Sequence, residues 1–335
     1  MNSFYQGLIE TQAINQQLLQ TIRLIGEYKG KQELFKRQAP QVIKNLPQAV
    51  IIQSIETSNR IEGTIVPLER IKKLVSGKET PGDRSDREIV CYRDVLTAIH
   101  DSYPHIPFTP NLVLELHRAL DREAIDTGGK WKTADNEVDA TNPDGTPAAM
   151  ESLHDRFNYL WESGKIEKLL LIPTYILDFL CLRPFSDGNE RMARLLTLLL
   201  LYKGDYEIGQ FISLDSIVEK TKEDRDRALD LSSQNWREGK HELLPWWQYF
   251  LGVMLLSAYQ ELEEKVEYVT PTKGTKTAIV LEGITSLPEE FSVKQLQEKC
   301  PQVSRDLIRH VLRQQRNAGH LECLGRGVKA SWRKR

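Results

Sequence analysis

The sequence predicts a mainly α protein: a helical bundle interrupted by one small β-hairpin, followed by a separate module of three helices and a second hairpin. Three observations carry this. Apolar residues recur at helical spacing over most of the chain, as in Ile14, Leu18, Leu19, Ile22 and Ile25, and again in Ile89, Val90, Tyr92, Val95 and Leu96. The periodicity fails in one place, residues 128–138, where strand and turn chemistry takes over and leads to the tip Asn142-Pro143-Asp144-Gly145. Finally, Thr270-Pro271-Thr272-Lys273-Gly274 has the composition of a linker, and the pattern behind it changes to short capped helices.

Composition narrows the class. At 335 residues, with 40% hydrophobic and 27% charged residues and a net charge of −2, the chain has room for two or three globular domains. Its first residues, MNSFYQGLIETQ, lack a basic segment followed by an apolar core, and the apolar runs 195–202 and 250–258 are too short to span a bilayer. A cytoplasmic chain with no membrane partner is expected. Cys91, Cys181, Cys300 and Cys323 lack metal-ligand spacing and read as reduced thiols.

In chain order, residues 1–100 read as an amino-terminal helical region. Its first helix covers roughly 4–35, Pro40 and Pro47 are expected to break the chain, and a second helix, 48–62, enters at Pro47 and stops at Gly63. Residues 72–82 read as a helix end and polar loop. Further helices are expected at 87–99, 111–120, 150–161, 173–182, 195–202, 224–236 and 244–266. His117 lies beside Val113, Leu116 and Leu120 and reads as a core histidine held by a hydrogen bond before it reads as a catalytic one. His154 reads as structural, with a general base as the competing assignment. Trp236, Trp246, Trp247, Tyr249 and Phe250 read as packing for the bundle.

The candidate site is the polar stretch from Arg183 to Arg194 (RPFSDGNERMAR), held between two core helices. Pro184 fixes the chain, and Gly188 permits a turn close to a bound group. The free N–H groups that start the next helix favour an anion, which Arg191 and Arg194, three residues apart, can also reach. Asp187 adds a hard oxygen ligand suited to magnesium. Together these read as a triphosphate site.

The stretch resembles the Fic (Fido) signature H-P-F-x-D-G-N-G-R-x-x-R, matching at Pro184, Phe185, Asp187, Gly188, Asn189, Arg191 and Arg194. It departs at two positions: Arg183 stands where the family has its histidine, and Glu190 where it has its second glycine. The resemblance implies ATP and magnesium as cofactors, with Gly188, Asn189, Glu190, Arg191 and Arg194 at the nucleotide and Asp187 at the metal. It also implies transfer of AMP to a hydroxyl of a target protein, for which the histidine is the general base. An arginine stays protonated and cannot take that role, so the resemblance implies an impaired adenylyltransferase. Ser58, Glu62 and Gly63 resemble the S/T-x-x-x-E-G/N motif of Fic proteins with an amino-terminal inhibitory helix, here about 47–63, whose glutamate pairs with the second signature arginine, Arg194. The hairpin at about 128–147 is similar to the Fic flap, which presents a protein target as an added strand. On this reading a Fic core spans 101–268. A solvated Glu at a capped helix end and a plain surface hairpin are the competing readings.

In the last module, 275–335, helices are expected at 275–283, 292–299 and 304–318, with strands at 321–324 and 328–332. Three helices and a hairpin resemble the winged helix-turn-helix. Arg305, Arg309, Arg313 and Arg316 fall on one stripe beside the apolar stripe of Ile308, Val311 and Leu312, as on a recognition helix. Arg326 and Lys329 in the wing, with Arg333, Lys334 and Arg335, extend the positive surface. DNA is the implied partner, and a protein-adaptor surface is the competing reading. Three functions follow: an impaired Fic nucleotidyltransferase, a nucleotide-responsive or nucleotide-independent DNA-binding regulator, and a structural bundle. The expected partners are a protein target at the flap, DNA at the winged helix and a second copy of the chain.

Overall fold

The structure, a computed structural model, describes residues 2–4, 7–38, 40–120, 128–132, 145–269, 275–301, 303–325 and 331–335. The chain divides into two units, Met1–Glu263 and Glu264–Arg335. The larger begins with α1 (Leu8–Thr11), α2 (Gln16–Gln38), α3 (Pro40–Ile61), α4 (Leu68–Val75), α5 (Arg84–Ser102) and α6 (Pro110–Leu120). After these come α7 (Gly145–Ser163), α8 (Lys168–Leu182), α9 (Asn189–Lys203), α10 (Leu214–Lys220), α11 (Lys222–Ser233) and α12 (Leu244–Trp247). Eight π-helical residues, Gln248–Leu255, lead into α13 (Leu256–Val269).

At the centre stands α8, in which every residue from Leu169 to Leu180 is buried, as an all-round apolar helix requires. It packs on α9, whose own run from Leu195 to Tyr202 is buried throughout. The one carboxylate inside α8, Asp178, accepts hydrogen bonds from the Ser3 backbone and hydroxyl and, at 2.6 Å, from Trp236 Nε1, so the first turn of the chain is tied into the core. Trp246, Trp247, Tyr249 and Phe250 are buried, as expected of packing residues.

Two prolines behave differently from the sequence expectation. Pro47 lies inside α3 and Pro173 inside α8, so neither opens its helix. An interior proline costs about 3 kcal/mol. In α3 burial offsets that cost, because Ile43, Val50 and Ile55 go into the core on both sides of Pro47. Polar contacts hold its far end to α10: Arg60 donates to both oxygens of Glu219 at 2.8 Å, and Ser54 donates to Ser213 at 2.8 Å.

The smaller unit has its own apolar core, which includes Val280, Phe291, Leu296, Ile308, Leu312 and Trp332. Its elements are α14 (Thr275–Ser286), β1 (Glu290–Ser292), α15 (Val293–Lys299), α16 (Arg305–Asn317), β2 (Leu321–Leu324) and β3 (Ser331–Lys334). Ser292 caps α15 in a full capping box with Gln295, and Ser304 caps α16. The sheet has three strands in the order β1-β3-β2, all antiparallel, where the sequence suggested two. The extra strand is Glu290-Phe291-Ser292, which buries Phe291 opposite Trp332 but is too short to show an alternating pattern.

Candidate functional site

The loop between α8 and α9 is built by its own side chains. Arg183 closes α8 in the left-handed conformation, φ 46°, and its N–H reaches the Phe179 carbonyl at 2.9 Å. Such a φ is uncommon for a non-glycine residue and marks a backbone held by its surroundings. Asn189, buried, accepts from the Phe185 N–H at 2.9 Å and donates to the Phe185 carbonyl at 2.8 Å, which locks the turn across its base. Phe185 is buried against His117, the rings parallel within 7° and 3.7 Å apart, with Trp131 at 5.0 Å.

His117 is therefore a support of this loop. Its Nδ1 accepts from the Gly129 N–H at 3.0 Å, which leaves the proton on Nε2, 3.1 Å from the Asp187 carbonyl. Gly129 has to be glycine: its φ is +69°, and a Cβ there would stand 2.8 Å from Arg118 Cβ. His154 is no substitute base. It is buried, its Nδ1 bonds the Met150 carbonyl at 2.9 Å and its Nε2 the Tyr175 hydroxyl at 3.2 Å, and burial pushes its pKa down to about 4.

On α9, Arg194 is the hub. Its Nε donates to Asp215 at 3.0 Å, and its Nη2 donates to Ser58 Oγ and to Glu62 Oε1, each at 2.9 Å. Tyr92 donates to the same Asp215 oxygen at 3.2 Å. Burial opposes the charge on Arg194, but Asp215 and Glu62 outweigh it and hold the guanidinium protonated above its ordinary range. Burial pushes the Asp215 carboxyl up, with Arg194 the main force pulling it back. Arg191 stands 3.9 Å from the other oxygen of Glu62.

Local structure fixes Glu62 where it meets them. Gly63, φ +81°, donates to the Arg60 carbonyl at 3.0 Å, and Thr64 donates to the Asn59 carbonyl at 2.8 Å. This pair of bonds is the Schellman motif, with Glu62 as the last half-helical residue. A carboxylate at a helix C-terminus is repelled by the exposed carbonyls, and here two arginines offset that cost.

Glu190, at the position of the signature's second glycine, is bonded to Arg225 of α11. Arg225 was out of reach of sequence reasoning because it lies 35 residues further on. Arg183 is exposed at the loop surface. The basic end of the chain is partly neutralised, with Arg333 paired to Glu290, Arg335 to Glu322 at 3.3 Å, and Lys334 donating to the Thr285 carbonyl at 2.9 Å, so these residues also fasten the sheet. Arg305, Arg309, Arg313 and Arg316 are exposed on α16 as expected. Arg326, Lys329 and the hairpin residues 133–144 lie outside the described residues.

Behind Arg194 lies a cavity of about 30 Å³, lined by Ser54, Tyr92, His100 and Asp215 among others. That is room for a water or two.

Residues 107–201 match the sequence profile of the Fic/DOC family. That segment resembles a Fic domain. Among solved structures it is similar to a Fic family protein from Desulfovibrio desulfuricans G20, with a TM-score of 0.62 at 20% identity over 96% of this chain and 97% of that one. It is similar also to a Fic domain containing signaling protein from Bacteroides thetaiotaomicron, with a TM-score of 0.60 at 21% identity over 73% of this chain and 97% of that one. A third likeness is to Fic-1 of C. elegans, with a TM-score of 0.60 at 18% identity over 76% and 74% of the two chains. No curated protein matches the chain. The matched Fic segment contains the loop, α8 and most of α9, whereas Glu62, Asp215 and Arg225 come from outside it.

Among the described residues no group of three metal-ligating side chains occurs, and no helix is long and apolar enough to cross a membrane. Asp187 is exposed, and one of its carboxylate oxygens accepts from the Gly188 N–H at 2.7 Å.

Proposed function

We propose that this chain is an autoinhibited nucleotide-binding Fic protein in which transfer of AMP to a protein hydroxyl is impaired. The observation that carries this reading is the carboxylate of Glu62 bound to Arg194 and set 3.9 Å from Arg191, an anion supplied by the chain itself at the place where phosphate oxygens would sit. The donor set fits that group: two guanidiniums three residues apart on one helix, beside N–H groups of the first turn that a helix leaves without partners. Asp187 suits a magnesium that takes its remaining ligands from phosphate and water, as magnesium commonly does. Bound Mg-ATP would supply the adenylyl group. Arg183 can donate to an anion but cannot accept a proton from an attacking hydroxyl, and loss of a general base costs about 10²–10⁴-fold in rate.

Labelling tests this. Glu62→Gly incubated with Mg-ATP and a lysate is expected to transfer little AMP, and Glu62→Gly with Arg183→His to transfer more. Equal, efficient transfer by both would remove the claim that Arg183 impairs catalysis, and no transfer by either would remove the transferase reading.

A second reading, that the smaller unit is a winged helix that binds DNA, is favoured by charge. Residues 264–335 carry 14 Lys and Arg against 8 Asp and Glu, although the whole chain is net negative. Replacing Arg309 and Arg313 with Ala should weaken binding of duplex DNA and lower its salt dependence; unchanged binding in an anisotropy titration would contradict it.

A further inference from the structure

The ion pair between Glu190 and Arg225 ties the first turn of α9 to α11. Arg225 belongs to α11, and its side chain is only 15% exposed, whereas that of Glu190 is 47% exposed. The guanidinium is also paired with Asp226 at 3.0 Å, and Glu190 is the more exposed of the two side chains in its own pair. Glu190 meets the guanidinium's other nitrogen at the first turn of α9, one residue before Arg191 and one turn before Arg194. Around that turn three arginines are therefore each engaged by a carboxylate of the chain: Arg194 and Arg191 by Glu62, and Arg225 by Glu190.

We propose that Arg225 is a third phosphate-binding arginine of this site and that Glu190 is a second built-in stand-in for the phosphate, independent of Glu62. The inference rests on the nucleotide-binding reading above. When Glu190 is displaced, Arg225 keeps Asp226 on one nitrogen and frees the donors of the other, which suit a phosphate oxygen. The same geometry explains how a glutamate is tolerated in the first turn beside an anion site: its charge is neutralised by α11 and does not face the site uncompensated.

The experiment is calorimetric titration of Mg-ATP into Glu62→Gly, Glu62→Gly/Glu190→Gly, and the latter with Arg225→Gln, a shorter, neutral side chain that can still donate a hydrogen bond; thermal unfolding confirms that each is folded. Removing Glu190 should tighten Mg-ATP binding by about tenfold or more, the worth of a charge-assisted hydrogen bond, and Arg225→Gln should erase that gain. If Glu62→Gly binds Mg-ATP and loss of Glu190 adds nothing, or the gain survives Arg225→Gln, the pair merely ties α9 to α11 and the proposal fails alone. Absence of binding in all three would overturn both this proposal and the reading on which it rests.

Discussion

Arg194 concentrates the chemistry of the site in one side chain. Its guanidinium spans from the buried Asp215 to the half-buried Glu62, so it has two separable duties. Towards Asp215 it is structural: replacing it with Ala leaves a buried carboxylate without its cation. Arg194→Ala is expected to lose about 3–5 kcal/mol of stability in urea unfolding, as removal of one member of a buried pair does. A loss under about 1 kcal/mol would mean that Tyr92 alone satisfies Asp215. Towards Glu62 it carries the contact on which the proposed autoinhibition rests, a contact separate from the one to Asp215. The sequence disclosed Arg194, Glu62 and Ser58 because each falls in a short motif. It hid Asp215 and Tyr92, which have no local pattern and become partners only when α5, α9 and α10 are packed together.

At the scale of elements, the position of the Glu62 carboxylate depends on how α3 ends. Gly63 takes a left-handed φ with open space around it, so the cost of a side chain there is conformational and not steric. Gly63→Ala should cost about 1 kcal/mol, fray the last turn of α3 and loosen Glu62, so that Mg-ATP affinity rises while the global fold is kept. Unchanged affinity alongside reduced stability would show that Glu62 is placed by its arginines and not by the helix cap. Capping residues were legible throughout: Gly63, Ser292 and Ser304 end or start helices as their types predict. The prolines misled, because Pro47 and Pro173 sit in helices whose burial outweighs their cost, and burial is a property of the packed bundle that a local signal does not carry.

For the molecule as a whole, stability carries a pH signature. His100 and His154 are both pushed down to about 4 by burial, from the ordinary 6.5. Both imidazoles stay neutral in the folded chain, so as the pH drops below about 6.5 the unfolded chain takes up protons first and folding stability falls until pH reaches about 4. Between pH 7 and pH 5 each should cost about 2 kcal/mol. Urea midpoints at the two pH values measure the total, and His154→Gln should remove about half of it; a slope indifferent to that change would mean other groups set it. At this scale the mainly helical architecture and the signature loop were readable from periodicity and motif. The wiring that brings the end of α3, the start of α9 and α11 to one place was not, since it depends on contacts between residues from 35 positions apart, Glu190 with Arg225, to more than 130, Arg194 with Ser58 and Glu62. The measurement that bears most directly on the account is titration of Mg-ATP into the wild type and into Glu62→Gly. Binding that appears or strengthens at least tenfold in the variant is the predicted result, given that a charge-assisted contact to Arg194 is exchanged for one to phosphate. Equal affinity, or no binding by either protein, would contradict it.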